Sequence, residues 1–148
     1  MELELPEAAV MRNLEATSVV LQSLMAMGIR IAVDDFGTGY SNLSYLKRFP
    51  INTLKLDKSF VHEIPESANI ATIVRSVIHM GQSLHLQVVA EGVENAQQLK
   101  FLQAHDCAEG QGYYFSKPVD PSECQALLSV GERYWAWKFS SPTLRAFK

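Results

Sequence analysis

The chain has 148 residues, of which 47% are hydrophobic and 20% charged, and its formal net charge is −3. This balance is typical of one globular domain and excludes a disordered or fibrous chain. The small negative charge argues against binding to duplex nucleic acid, which needs a surplus of lysine and arginine. No apolar stretch of about 18 residues is present to span a bilayer. We therefore expect a cytoplasmic protein with reduced thiols at Cys107 and Cys124.

Short apolar runs alternate with longer segments of helical periodicity along the chain. The pattern predicts strands at 2–5, 29–33, 53–56, 87–90 and 113–115, and helices at 8–27, 41–48, 68–84, 95–104 and 121–130. Asp120 before Pro121 is a candidate N-cap for the last helix. Such units predict the α/β class, with parallel strands in either an open doubly wound sheet or part of a (β/α)8 barrel. The aromatic and basic segment 132–148 is read as a C-terminal tail, leaving 1–131 as the domain.

Polar residues stand at or near the end of each predicted strand, where apolar residues would otherwise be expected. Glu4 lies in the first run, Asp34 and Asp35 follow the second, Lys55 lies inside the third, Glu91 closes the fourth, and Gln111 just precedes the fifth. The C-terminal ends of parallel strands lie on one face, so these side chains should converge there. Several carboxylates in one small volume need either raised pKa values or cations among them. Oxygen donors of this kind suit Mg²⁺ or Mn²⁺, with a lysine adding positive charge.

The adjacent carboxylates of Asp34 and Asp35 precede a glycine-rich turn, in the sequence VDDFGTGY. Such a pair can hold divalent ions for two-metal hydrolysis of a phosphate ester. The glycines of the turn would let the loop fold back over the site. The alternative is an aspartate that caps the following helix. The DFG triplet of protein kinases is excluded as an explanation, because the other kinase motifs are absent.

Four segments together resemble the EAL-domain family, the bacterial cyclic di-GMP phosphodiesterases. They are ELELPEAA at 2–9, IAVDDFGTGYSNLSYLKRFPINTLKLDKSFV at 31–61, VVAEGVEN at 88–95 and QGYYFSKPV at 111–119. The resemblance implies a modified TIM-type (β/α)8 barrel of which the N-terminal part is missing. It also implies cyclic di-GMP as the substrate, hydrolysed to pGpG with Mg²⁺ or Mn²⁺.

The resemblance also assigns roles to individual residues. Glu4, Asp34 and Asp35 match metal ligands of the family, with Asp34 bridging both ions. Lys55 matches the lysine that holds the nucleophilic water and the scissile phosphate. Glu91 matches a glutamate that serves as general base or as a ligand of metal and water.

A further group matches residues that support the substrate and the loop. Glu7 resembles the glutamate that braces the DFGTG loop, and Gln111 resembles the glutamine that orders the last strand end. The loop itself contributes Phe36, Gly37, Thr38 and Gly39. Hydrogen bonds from Glu7 would make this loop a switch between competent and collapsed sites.

Two departures from the family pattern leave alternatives to an active phosphodiesterase open. Pro6 replaces the usual threonine after Glu4, which removes a hydroxyl and a backbone donor. The segment with the Glu-Ala-Leu signature, a metal-binding glutamate and a metal-binding asparagine is absent, so weak or no activity is expected of this chain. The alternatives are a non-catalytic binding module, a homodimer formed through the loop after Asp35 or through open barrel edges, and a longer natural chain.

Overall fold

The computed structural model describes residues 1–39 and 45–129. The predicted tail at 132–148 lies outside these residues, as do residues 41–44 of the predicted helix at 41–48. The described part of that helix is one 3-10 turn, Tyr45–Lys47. No helix among the described residues has the length and hydropathy needed to cross a membrane.

Five strands form one parallel sheet in the order β1-β2-β3-β4-β5. The strands are β1 (Glu2–Pro6), β2 (Arg30–Phe36), β3 (Thr53–Leu56), β4 (Gln87–Glu91) and β5 (Glu109–Gln111). The helices are α1 (Glu7–Met11), α2 (Leu14–Ala26), α3 (Lys58–Glu63), α4 (Ala68–Ser83), α5 (Ala96–Ala104) and α6 (Pro121–Ser129). The predicted α/β class with parallel strands is confirmed.

Helices α1 to α5 each contribute buried apolar residues to the core on one face of the sheet. Val33 and Leu54, aligned on neighbouring strands, lie in one buried apolar cluster with Leu21 of α2. Val88 of β4 belongs to a second cluster with Val74 of α4. The strand order also runs in sequence without a reversal, whereas a doubly wound sheet reverses at its switch point. These two features are those of a barrel wall rather than of an open doubly wound sheet.

Two predicted elements differ from the structure near the chain's ends. The helix predicted at 8–27 is divided into α1 and α2, because the Asn13 side chain accepts a hydrogen bond from the Ala16 N–H and starts a new helix. The strand predicted at 113–115 is wrong, since these residues form a turn in which Phe115 N–H donates to Gly112 O. The fifth strand is Glu109–Gln111 instead.

Two helix caps show how local sequence shapes the chain. Asp120 caps α6 as predicted, accepting hydrogen bonds from the Ser122 and Glu123 N–H groups at 2.8 and 3.0 Å. Helix α3 was not predicted, although Asp57 caps it by accepting from the Ser59 N–H at 2.9 Å. Because α3 follows directly on the strand that carries Lys55, it stands next to the candidate site.

Thiol alkylation is expected to distinguish the two free cysteines. Cys107 is fully buried, and burial raises the pKa of its thiol to about 12, whereas Cys124 is exposed. Since the thiolate is the reactive form, iodoacetamide at about pH 8 should modify Cys124 alone until denaturant is added. Mass spectrometry of the intact protein reads the number of adducts, and a Cys124→Ser variant should gain none. Two rapid adducts on the native chain would contradict the burial of Cys107.

Candidate functional site

The centre of the candidate site is the ammonium group of Lys55 on β3. Lys55 is buried, and its Nζ lies 2.7 Å from Glu4 Oε2, 2.8 Å from Glu91 Oε1 and 3.3 Å from Asp34 Oδ1. These three carboxylates come from β1, β4 and β2. Residues spread over 88 positions of the chain thus meet at one point, as their placement at strand ends predicts.

Burial and hydrogen bonding act in opposite directions on the pKa of Lys55. Burial alone would lower the pKa, but the hydrogen bonds to Glu4 and Glu91, together with the charges of Glu91 and Asp34, outweigh it and raise the pKa. The ammonium therefore keeps its proton at neutral pH. It can attract an anion such as a phosphate but cannot serve as a general base.

The contact between Glu4 and Lys55 joins two strands that are not neighbours. Strand β2 lies between them, and its residue aligned with Glu4 is Ala32, which is also aligned with Thr53. A methyl group leaves space above β2, so the longer side chains of β1 and β3 meet over it. Side-chain layers built from alternate strands are a feature of (β/α)8 barrels.

A second polar layer lies one pleat below, at the start of the strands. Thr53 Oγ1 donates to Glu2 Oε1 at 2.6 Å, and Glu2 Oε1 is 3.6 Å from Arg30 Nε. Arg30 Nη2 donates to Gln87 Oε1 at 3.1 Å, and Gln87 Nε2 donates to Glu109. Sequence reasoning missed this layer. Its signal is that each strand carries two polar residues on one face, either two apart, as in Thr53 and Lys55, or four apart, as in Gln87 and Glu91.

The two aspartates of β2 are separated by an irregularity in the strand. The register shifts between Val33 and Phe36, and Asp35 has a φ of 55°. Asp35 is exposed, and its N–H donates to Asp34 Oδ1 at 3.1 Å. Asp34 therefore faces Lys55, whereas Asp35 lies outside the Lys55 cluster on the solvent side of the same strand end.

The loop after Asp35 is attached to α1 through Glu7. The Glu7 carboxyl group is buried, and its Oε2 accepts a hydrogen bond from the Gly37 N–H at 3.1 Å. Thr38 Oγ1 donates to the Asp35 carbonyl at 2.9 Å. The Phe36 side chain is buried in the core, and a methyl group at Gly39 would lie 3.8 Å from Glu7 Oε2.

Gln111 is aligned with Glu91 on the neighbouring strand and is exposed. Its position extends the row of polar strand ends from β4 to β5. It ends the fifth strand rather than preceding it, because that strand is Glu109–Gln111. The Gln111 carbonyl accepts a hydrogen bond from the Val93 N–H at 3.0 Å, which holds β5 against the segment that follows Glu91.

The donor atoms of the site suit a hard divalent cation. Carboxylate oxygens from three strands converge on one positive charge, and such oxygens are the ligands that Mg²⁺ and Mn²⁺ prefer. Within residues 1–39 and 45–129, however, no three acidic, histidine or cysteine side chains are arranged to enclose an ion. The Lys55 ammonium neutralises the carboxylates instead, so a bound metal ion would have to share the carboxylate of Glu4 or Asp34 with Lys55.

Comparisons with known proteins agree with this architecture. The cyclic di-GMP phosphodiesterase NbdA of Pseudomonas aeruginosa is 44% identical over 147 residues, which are 99% of this chain and 18% of that protein. The EAL domain of Mycobacterium smegmatis DcpA is 45% identical with a TM-score of 0.81, over 88% of this chain and 58% of that chain. A manganese and cyclic di-GMP complex of Klebsiella pneumoniae BlrP1 is 38% identical with a TM-score of 0.74, over 79% and 30%.

The structural neighbours are TIM-like barrels, and this chain spans little more than half of the DcpA domain. It spans less than a fifth of the length of NbdA. The family model that describes the EAL domain matches residues 1–118. The chain therefore belongs to the EAL domain family.

Proposed function

We propose that the chain forms the C-terminal part of a cyclic di-GMP phosphodiesterase domain that uses Mg²⁺ or Mn²⁺. The observation that carries this proposal is the burial of Lys55 among Glu4, Asp34 and Glu91 at the C-terminal ends of four parallel strands. That face is where barrel enzymes place their chemistry. The EAL-family relative NbdA is named a cyclic di-GMP phosphodiesterase, which supplies the substrate class.

Glu4, Asp34 and Asp35 are the residues that would hold the metal. Their carboxylates are the hard oxygen donors that such ions prefer, and the BlrP1 complex contains manganese together with cyclic di-GMP. When bound, divalent ions lower the pKa of a water molecule and neutralise charge that builds up on phosphate. The carboxylate of Asp35 is exposed to solvent, so it would be accessible to an ion.

Lys55 would bind the phosphate that is cleaved. Its ammonium is held at a fixed position by three carboxylates and stays protonated, so it offers a preorganised positive charge to the negative phosphate. Glu91 Oε1 already accepts from Lys55 at 2.8 Å. A water bound beside this ion pair, within reach of both Lys55 and Glu91, would be oriented for attack on phosphorus, with Gln111 bordering the same space.

Turnover of cyclic di-GMP by the purified chain in Mn²⁺ tests this proposal, with pGpG measured by chromatography. We expect Asp34→Ala to abolish any turnover, because it removes a carboxylate that faces Lys55. The matched control is Glu66→Ala, which removes an exposed carboxylate in the segment between α3 and α4 that is not part of the Lys55 cluster. Circular dichroism would establish that each variant is folded. Turnover that survives in Asp34→Ala would contradict the proposed site.

The absence of turnover in a folded wild-type chain would favour the non-catalytic reading of this fragment. A complete EAL domain carrying the same 118-residue match would then be assayed with the same two variants. Retained activity in Asp34→Ala within that longer protein would reject the assignment of Asp34. Loss of activity there, with full activity in Glu66→Ala, would support it.

A further inference from the structure

Helix α3 lies between two glycines that directly follow site residues. On one side, a methyl group at Gly37 would lie 2.9 Å from Phe60 Cε2 and 3.0 Å from Phe60 Cζ. On the other, a methyl group at Gly92, next to Glu91, would lie 2.5 Å from Lys58 Cβ. Both glycines therefore let α3 approach the backbone at the ends of β2 and β4.

The contact between Phe60 and Gly37 is a close fit of a ring on a backbone. Gly37 has a φ of +96°, a conformation that L side chains rarely adopt. Its N–H is held by Glu7 Oε2 at 3.1 Å, while the Phe60 ring packs against its Cα. The loop is thus fixed from two sides, by the hydrogen bond that Gly37 donates to Glu7 of α1 and by the aromatic ring of Phe60 on α3.

Gly37 lies close in the sequence to the proposed metal ligands. Gly37 follows Asp35 by two residues and Asp34 by three. Asp34 is aligned with Pro6 on β1 and lies 3.3 Å from Lys55. Asp35, in contrast, falls where the register with β3 breaks, and it has a positive φ of 55°. The contacts of the loop that follows Asp35 therefore help to set where its carboxylate points.

We infer that Phe60 is a positioning residue, whose ring holds Gly37 and thereby fixes the backbone that carries Asp35. The inference rests on the proposed function, because it assigns Phe60 a part in presenting Asp35 to a metal. Phe60 touches neither a metal nor a phosphate. It acts through the loop, in the way that outer contacts orient metal ligands.

The first test measures the loop in the absence of any metal. In Phe60→Ala, the Gly37 amide should exchange its hydrogen about 10-fold faster relative to the Leu54 amide of the core strand β3, because local opening of the loop becomes easier. The matched control is Phe101→Ala on α5, since Phe101 and Phe60 are both partly buried against the same apolar cluster. That variant should lower the melting temperature and leave the ratio of the two exchange rates unchanged.

The second test measures Mn²⁺ affinity by electron paramagnetic resonance of the free ion. Phe60→Ala should weaken binding about 10-fold, as loss of an outer contact to a metal site does, whereas Phe101→Ala should not weaken it. A wild-type chain that binds no Mn²⁺ would overturn the proposed metal site, and with it the part assigned to Phe60 there. A wild-type chain that binds Mn²⁺ with no change in Phe60→Ala would overturn the inference alone.

A double-mutant cycle separates the ring contact from backbone strain. Gly37→Ala introduces both a clash with Phe60 and the cost of its positive φ. In the Phe60→Ala background the clash is absent while the backbone cost remains, so Gly37→Ala should weaken Mn²⁺ binding by a smaller factor there. Equal factors in the two backgrounds, or a Gly37 exchange rate that Phe60→Ala leaves unchanged, would show that the ring does not hold the loop.

Discussion

Replacing Lys55 with methionine is expected to abolish any turnover of cyclic di-GMP and to lower the free energy of unfolding by about 2 kcal/mol. Methionine fills a similar volume but leaves Glu4, Asp34 and Glu91 without the ammonium that they surround. Removing one partner of a buried ion pair costs roughly 3 to 5 kcal/mol. We expect less here, because the Glu4 side chain is 56% exposed and water screens part of its charge.

Urea denaturation of wild type and Lys55→Met measures the stability effect. The matched control is Lys58→Met. Lys58 is an exposed lysine three residues away on α3, and methionine keeps the Cβ that lies next to Gly92. That variant should unfold within about 0.5 kcal/mol of wild type. Equal stability of Lys55→Met and Lys58→Met would mean that the carboxylates do not depend on the buried ammonium.

The pH dependence of this difference follows from the direction of the Lys55 shift. The pKa in the folded protein is raised above the ordinary value of 10.5, because hydrogen bonds and neighbouring charges outweigh burial. A group of this kind stabilises the fold fully below its unfolded pKa, and the stabilisation is lost as pH rises through the folded pKa. The difference between wild type and Lys55→Met should therefore stay constant from about pH 7 to about pH 10 and shrink only in stronger alkali.

Added Mg²⁺ offers a further check on the same cluster. Without the ammonium, three carboxylates face one space with no counter-charge, so a divalent cation has more to neutralise. We expect Mg²⁺ to raise the melting temperature of Lys55→Met more than that of wild type. A smaller rise in the variant would argue that these carboxylates do not converge once Lys55 is removed.

The position of the candidate site could be predicted from the sequence because it depends on topology alone. Once the strands are parallel, residues at their C-terminal ends must share one face, and Asp34, Lys55 and Glu91 are placed by that rule. Their mutual arrangement could not be predicted in the same way. The ion pair between Glu4 and Lys55 passes over the small side chain of Ala32 on the strand between them, and no local sequence pattern predicts that alignment.

The last strand shows how tertiary structure overrides local preference. Tyr113–Phe115 is rich in aromatic residues that favour strands, whereas Glu109–Gln111 contains glycine and no β-branched residue. Glu109–Gln111 nevertheless pairs with β4, and its three residues are aligned with Val89, Ala90 and Glu91. The aromatic segment instead turns back, and Tyr114 N–H donates to the Val93 carbonyl at 2.9 Å.

Pro6 fits the end of β1 without strain in its own backbone. Proline at this position removes a backbone donor. In the structure Pro6 is the last residue of β1 and the N-cap of α1, with a φ of −56°. That angle is the one that the proline ring favours, so Glu4 still reaches Lys55.

Replacing Gly112 with alanine is expected to destabilise the protein more than alanine at Gly28, Gly81 or Gly92 does. A methyl group at Gly112 would lie closer than 3.0 Å to three backbone atoms of Val93, namely N, C and O. Backbone atoms cannot rotate away as a side chain can, so one of the two segments must move. We expect a loss of about 3 kcal/mol in the free energy of unfolding, at the upper end for overpacking of a core.

The displacement would also reach the candidate site. Val93 N–H donates to the Gln111 carbonyl at 3.0 Å, and the Val93 carbonyl accepts from Tyr114 N–H. Moving Val93 breaks both hydrogen bonds and shifts Gln111 relative to Glu91, the residue with which it is aligned. Catalytic geometry is sensitive to displacements of about 1 Å, so turnover should fall in Gly112→Ala even under conditions where the chain is folded.

Gly28→Ala is the matched control for this substitution. Gly28 has a positive φ of +77°, but a methyl group there would meet no atom within 4 Å. Its cost is therefore that of the backbone conformation alone, about 1 kcal/mol. Urea denaturation should rank Gly112→Ala as clearly less stable than Gly28→Ala. Similar urea midpoints for the two variants would mean that the segment after Glu91 can move away from β5 at little cost. The alignment of Gln111 with Glu91 would then not be fixed by the contact between Gly112 and Val93.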